Sequence, residues 1–379
     1  MALLNLFPNY VWNLSVAVAI ECGGKIGEII DICHALKAVG GADEDAGTSE
    51  FMRAWIQKAD VLSELAEDDF TKNRTQSAGE KLKRASLYCL IAERMQHGWD
   101  EERQALYTRM LKIFEQAVTC LSEPVDRVTI DYDDGRPITG WFHRAATDGP
   151  CVIFCNGLDS VKEMLYLMDV PKALAMRGIS TLCVDQPGTG EALRLQGIPA
   201  THRTERWVSR WVDWLQDQPG IDPARIGMLG ISLGGYYVSR AVAFEPRLAL
   251  GAAWGANHNW IEVQHKRLRR EGENPVPHYW DHVSWVFGAD SVEDFFDKAK
   301  GMTLEGVLDR IKAPFLVTHG ARDRQIDVGY AHLTFDQLIN SRKRKLKIFS
   351  DREGGVEHVS VDNMSFARDY ISDWIHENI

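Results

Sequence analysis

From residue 151 to residue 349 the chain repeats one arrangement, a short apolar run followed by a segment with helical spacing. The runs fall at 151–155, 180–184, 225–229, 248–254, 314–318 and 345–349. Short apolar runs separated by helical segments mark strands covered on both faces, because each helix folds back to lie over the sheet. The repeat predicts an α/β protein with a mostly parallel sheet, six of its strands in strand–helix units. Ahead of it, 127–132 and 138–143 alternate in polarity around Asp133-Asp134-Gly135, the pattern of a hairpin. Eight strands are expected in all.

The residues before the hairpin have a different character. Between 16 and 121 apolar positions recur three and four apart, as in Leu82, Ala85, Leu87, Leu90, Ile91 and Met95, and strand signals are nearly missing. Ser77-Ala78-Gly79-Glu80 has Ser-x-x-Glu spacing, which predicts a helix start there. A second long interval, 257–311, separates the sixth and seventh strands and carries Trp260, Tyr279, Trp280, Trp285, Phe287, Phe295 and Phe296. It is too long for a plain connection and predicts an inserted cap. Three regions follow: helices over 1–123, a catalytic domain over 124–256 and 312–379, and the cap over 257–311.

Charge and cysteine content narrow the function classes. A formal net charge of -11 disfavours a nucleic-acid partner, since phosphate binding needs clustered cations. The basic run at 342–347 reads as a solvated loop leading into a strand. Seven cysteines without a CxxC pair predict reduced, mostly buried thiols and neither a disulfide framework nor a metal site. The opening 1–23 lacks a basic start, is broken by Pro8 and Asn13 and contains Glu21. It therefore reads as neither a signal peptide nor a membrane span, and a cytoplasmic protein is expected.

Chemistry concentrates after the fifth strand, in Gly230-Ile231-Ser232-Leu233-Gly234-Gly235. A G-x-S-x-G at a strand-to-helix turn holds its serine on a sharp elbow, exposed above the sheet. A serine hydroxyl is a weak nucleophile, so it requires a base and a group that orients the base. In a sheet of this kind the order is serine, acid, histidine. The seventh strand ends in His319-Gly320-Ala321-Arg322-Asp323, which makes Asp323 the expected acid; Asp327 competes, with a helix cap as its other role. His319 is expected to satisfy loop backbone groups. His358 follows the eighth strand on the glycine-containing loop 351–358 and is the expected base, whereas His376 sits in a terminal helix. The oxyanion donors expected are the Leu233 N–H and, from the loop Cys155-Asn156-Gly157-Leu158-Asp159-Ser160, the Leu158 N–H. Asn-Gly is also a common turn pair. The run 185–191 lacks the Lys-Ser/Thr of a phosphate loop and reads as a structural turn.

With these residues the chain resembles the branch of the α/β-hydrolases that contains 2,6-dihydroxypseudooxynicotine hydrolase and the fungal polyketide-shortening hydrolases. The matching segments are Ser77-Ala78-Gly79-Glu80 with Arg84-Ala85, Asn156 through Glu163, Asp185 through Glu191, Gly230 through Gly235, Glu245-Pro246-Arg247-Leu248 and Trp254-Gly255. The resemblance implies the α/β-hydrolase fold, no cofactor, frequent homodimers and N-terminal helices that cover the active site. It also implies a small-molecule substrate, aromatic or polyketide-like, cleaved at a carbon–carbon bond beside a ketone. A glutamate after the sixth strand takes part in one relative, and Glu262 is the nearest candidate here; Asp159 and Trp260 are further candidates for substrate contact. Ester hydrolysis, carbon–carbon hydrolysis and acyl transfer share this machinery, and a non-catalytic binding protein is the other class the fold allows.

Overall fold

The computed structural model describes residues 4–37, 39, 48–94, 99–269 and 278–379. Eight strands form one sheet: β1 (Val125–Asp131), β2 (Pro137–His143), β3 (Gly149–Cys155), β4 (Ser180–Val184), β5 (Ile221–Ile231), β6 (Leu248–Trp254), β7 (Phe315–Gly320) and β8 (Arg344–Phe349). Their order is β1-β2-β4-β3-β5-β6-β7-β8. β2 pairs antiparallel with β4, while β3 through β8 pair in parallel with their neighbours. All eight expected strands are present. The main departure is β5, which begins at Ile221; residues 222–225 are half-buried or exposed, so hydrophobic spacing does not register this start.

Strand order reverses at β3, which lies between β4 and β5. Neighbouring connections leave such a point on opposite faces of the sheet, opening a crevice at the carboxyl ends of the strands. The loop after β3 and the turn after β5 both meet that crevice. Side chains of β3 and β4 are buried along almost their whole length, which fixes the register beneath it.

The chain divides into two compact units, Met1–Val125 with Arg270–Val283, and Asp126–Arg269 with Ser284–Ile379. The first contains α1 (Tyr10–Glu21), α2 (Ile26–Leu36), α3 (Thr48–Thr71), α4 (Thr75–Glu93) and α5 (Glu101–Leu121). Asn9 caps α1 through its side chain, accepting from the Val11 and Trp12 N–H groups at 2.9 and 3.2 Å. Leu82, Ala85, Leu87, Leu90 and Ile91 are buried on α4 as their spacing predicts, and Met95 lies outside the described residues. The helix start expected at Ser77 is corrected: α4 begins at Thr75, and its N-cap Arg74 makes no side-chain cap. Left-handed Asn73 (φ +55°) ends α3, and the Arg74 N–H returns to the Asp69 carbonyl at 2.9 Å, so the backbone turn launches α4 early. Deep between α4 and α5, Glu93 and Arg103 form an ion pair of 2.6 Å with both side chains buried.

In the second unit, the interval between β6 and β7 carries the helices Trp260–Arg269 and Val292–Ala299, and the helix Tyr279–Phe287 spans the division between the units. All seven cysteines are free, and Cys22, Cys89, Cys151, Cys155 and Cys183 are buried. Among the described residues no helix is long and apolar enough to cross a membrane, and no group of side chains has the make-up of a metal site.

Candidate active site

β5 ends at Ile231, and the chain turns through Ser232 with φ +57° into the helix Gly234–Phe244. A left-handed serine is strained, and persists only where its surroundings leave no alternative. Here they are backbone. The Ser232 N–H donates to the Trp254 carbonyl at 2.8 Å, and the Ser232 carbonyl accepts from Gly235 at 2.8 Å. A Cβ on Gly230 would stand 2.0 Å from the Gly234 oxygen, and one on Gly235 would stand 1.9 Å from the Gly255 oxygen. Both positions therefore require glycine.

His358 arrives on the loop after β8. Its Nε2 lies 2.8 Å from Ser232 Oγ, and its Nδ1 lies 2.8 Å from Asp323 Oδ2. With the carboxylate accepting at Nδ1–H, Nε2 is left free to accept the serine proton, which fixes the tautomer a general base needs. Asp323 is buried, and its other oxygen accepts from the Gln325 and Ile326 N–H groups at 2.8 and 3.0 Å. Burial alone would raise its pKa, but the His358 ring and these donors outweigh it and hold the carboxyl below its ordinary range. Asp327 is exposed and accepts the Gly329 N–H at 2.7 Å, heading the helix Gly329–Gln337. His319 accepts from the Ala256 N–H at Nδ1 (3.1 Å), and its Nε2 meets the Ile326 carbonyl at 2.9 Å. His376 is exposed.

Two features of the histidine loop have no sequence signature. The Asp362 carboxylate accepts from the N–H groups of Gly355, Val356 and Glu357 at 2.9, 3.1 and 2.8 Å, clamping the backbone ahead of His358. Val359 and Ser360 are both left-handed, at φ +48° and +60°. For a β-branched residue this is an outlier, and it lies directly beside the histidine.

The loop after β3 crosses in front of the serine. A Cβ on Gly157 would come within 2.9 Å of Ser232 Cβ, so glycine lets the loop backbone reach the nucleophile. Among the described residues neither the Leu158 nor the Leu233 N–H has an acceptor, and Leu233 is wholly buried. Buried donors are rarely left unpaired, which sets the Leu233 N–H apart, whereas Leu158 is half-buried.

The remaining candidates are placed differently. Glu262 is half-exposed; the Tyr330 hydroxyl donates to it at 2.6 Å and Lys266 Nζ lies 2.8 Å away, which together hold its pKa low. Trp260 is buried, stacked on Phe287 with centroids 5.3 Å apart and edge-on to Phe295 at 5.7 Å. Those are packing contacts. Asp159 lies beside Leu158 on the loop after β3.

A mostly parallel eight-stranded sheet with a serine elbow after β5, the strand next to its reversal point, defines the class: the protein is an enzyme of the α/β-hydrolase fold, a hydrolase. Within that class the chain belongs to the FrsA-like esterase family, whose profile matches residues 48–286. Among curated proteins it is 28% identical to the 2,6-dihydropseudooxynicotine hydrolase of Paenarthrobacter nicotinovorans, over 85% of this chain and 83% of that one. It is 24% identical to the hydrolase LUC6 of a Fusarium species, over 98% and 97% of the two chains. Among solved structures, that of 2,6-dihydroxy-pseudo-oxynicotine hydrolase superposes with a TM-score of 0.76 at 23% identity, covering 96% of this chain and 95% of that one. AbyA5 follows with a TM-score of 0.71 at 16% identity, covering 97% and 99%. Both of these structural likenesses concern the fold.

Proposed function

We propose that the protein is a serine hydrolase that cleaves an acyl bond, ester or ketone carbon–carbon, through an acyl-enzyme on Ser232. His358 accepts the Ser232 proton as Oγ attacks the carbonyl and Asp323 steadies the imidazolium. The oxyanion sits between the N–H groups of Leu158 and Leu233. His358 then returns the proton to the leaving group, and a water molecule activated by the same ring releases the acid. The carrying observation is the unbroken chain Asp323, His358, Ser232, with both contacts at 2.8 Å.

The substrate class rests on the relatives. A curated protein 28% identical over most of the chain is named a hydrolase of a pseudooxynicotine, and the resemblance read from the sequence implies a ketone-bearing aromatic or polyketide. Asp159, adjoining the Leu158 donor, is the proposed polar contact for such a substrate. Glu262, held ionised by Tyr330 and Lys266, is suited to accept a hydrogen bond from a substrate hydroxyl and ill suited to donate a proton.

Turnover of a p-nitrophenyl ester and of an aryl 1,3-diketone by the wild-type protein and Ser232→Ala tests this directly. The variant is expected to fold normally and lose about 10⁴-fold or more in kcat on whichever compound is cleaved. Retained turnover excludes Ser232 as nucleophile.

A further inference from the structure

Lys162 is an ammonium group with no exposed surface, at the far end of the loop that carries Leu158. Its Nζ lies 2.9 Å from Asp185 Oδ2, 2.7 Å from Glu191 Oε1 and 2.7 Å from Glu163 Oε1. Three N–H donors meet three carboxylates. Burial disfavours the charge, but the Asp185, Glu163 and Glu191 carboxylates outweigh it and keep Lys162 protonated. Glu191 also pairs with Arg127 at 2.6 Å, and the Trp141 indole N–H donates to Glu163 at 2.8 Å. Burial raises the pKa of Glu163, which reduces the negative excess of the cluster.

A buried ion cluster contributes little net stability compared with apolar packing of the same volume, so its presence calls for another reason. Its connections supply one. Asp185 Oδ1 accepts the backbone N–H of Lys162 at 2.8 Å, and Asp185 Oδ2 accepts that of Glu191 at 3.0 Å. Next to it, Gln186 brackets Asn156, donating to its carbonyl at 2.9 Å and accepting its N–H at 3.1 Å. The Asn156 side chain donates to the Val184 carbonyl at 2.8 Å. Both ends of the loop 156–162 are thereby fastened to the segment after β4, and Leu158, with its unpaired N–H, lies between the two fastenings. Gly190 is glycine because a Cβ there would fall 1.9 Å from the Asp185 carboxyl carbon, inside the cluster.

We infer that Lys162, held by Asp185 and Glu191, is a positioning residue that sets the place of the Leu158 N–H and so governs stabilisation of the oxyanion. The inference rests on the triad and oxyanion reading proposed above. Lys162 touches no substrate; it acts by holding the loop against Ser232. Removing its charge leaves three carboxylates to repel one another at the end of the loop, and the donor at Leu158 drifts from the position the oxyanion takes.

The test compares Lys162→Met, Asp185→Asn and Ser232→Ala with wild type, using p-nitrophenyl butyrate as substrate and trifluoroacetophenone as a probe that adds to a serine to give an oxyanion. Thermal unfolding and near-ultraviolet circular dichroism identify the variants that fold. Lys162→Met is expected to lower kcat by about 10²-fold, the effect of losing one oxyanion donor, and to weaken trifluoroacetophenone by a similar factor, with KM within about threefold of wild type. Asp185→Asn, which keeps the side-chain shape, is expected to move the same quantities in the same direction, and it decides the matter if Lys162→Met does not fold. A folded Lys162→Met or Asp185→Asn with wild-type kcat and wild-type inhibition, beside an inactive Ser232→Ala, overturns the positioning role alone. An active Ser232→Ala overturns the triad reading beneath it.

Discussion

Ser232, Asp323 and His358 stand far apart in sequence, yet each lies on a turn or loop that follows the carboxyl end of a strand, and that placement made them legible. The elbow glycines mark Ser232, the strand end at Gly320 marks Asp323, and a glycine loop before the last helix marks His358, the three residues of the proposed triad. Asp327 offered the same chemistry four residues on, and the backbone separates the two: Asp323 is buried against His358, whereas Asp327 is spent on the Gly329 N–H. Asp323→Asn is expected to lower kcat by about 10⁴-fold, by favouring the wrong imidazole tautomer, while Asp327→Asn stays near wild type; steady-state ester hydrolysis distinguishes them. Lys162 was not legible in this way. Its segment stands out in the sequence only through the family resemblance, and a lysine is ordinarily a surface residue, so only three-dimensional contact reveals that it is buried.

His319 carries a prediction of its own. Burial holds its pKa below the ordinary imidazole value, the nearby Asp323 carboxylate only partly opposing this. The unfolded chain therefore binds a proton, below about pH 6.5, that the folded chain refuses. Stability is fully present above that pH and is lost as pH falls toward the folded-state value. His319→Gln, which retains a donor toward the Ile326 carbonyl, is expected to flatten the fall in urea midpoint between about pH 7 and pH 5. An unchanged slope contradicts the assignment.

At the scale of elements, strands were easier to place than helix ends. Strand identity follows from burial on both faces, which composition records, whereas helix ends follow from backbone turns. Left-handed Asn73 moved the start of α4 ahead of its Ser-x-x-Glu pair in just this way. Gly79, inside that pair, is explained by packing: a Cβ there would lie 2.8 Å from both Cys120 Cβ and Leu121 Cγ on α5. Helix propensity favours Gly79→Ala by about 1 kcal/mol. Crowding between α4 and α5 opposes it by about 1–3 kcal/mol, so the variant is expected to unfold at lower urea concentration than wild type. The loop that presents His358 is a second case. Asp362→Ala frees three backbone N–H groups and lets the imidazole shift, with an expected loss of about 10²-fold in kcat; Asp362→Asn, which keeps an acceptor, should fall between the two in the same assay.

For the whole molecule, the reversal of strand order at β3 places one loop and one elbow on the same crevice, and β7 and β8 lead into the loops that bring Asp323 and His358 to Ser232. The order of the strands was not legible. Hydrophobic runs announce that a sheet exists, but pairing is decided by helices crossing from face to face, which leaves little local trace. Nor do the aromatics between β6 and β7 announce their partners: Trp260 is buried, stacked on Phe287 and edge-on to Phe295.

A covalent acyl-enzyme on Ser232 would be visible as added mass. The intact protein is quenched in acid during the first turnovers of a p-nitrophenyl ester, and the modified peptide is then located. One acyl group is expected on the peptide containing Ser232 in the wild type and none in Ser232→Ala. An acyl group on another residue, or an equal adduct in the Ser232→Ala protein, contradicts it.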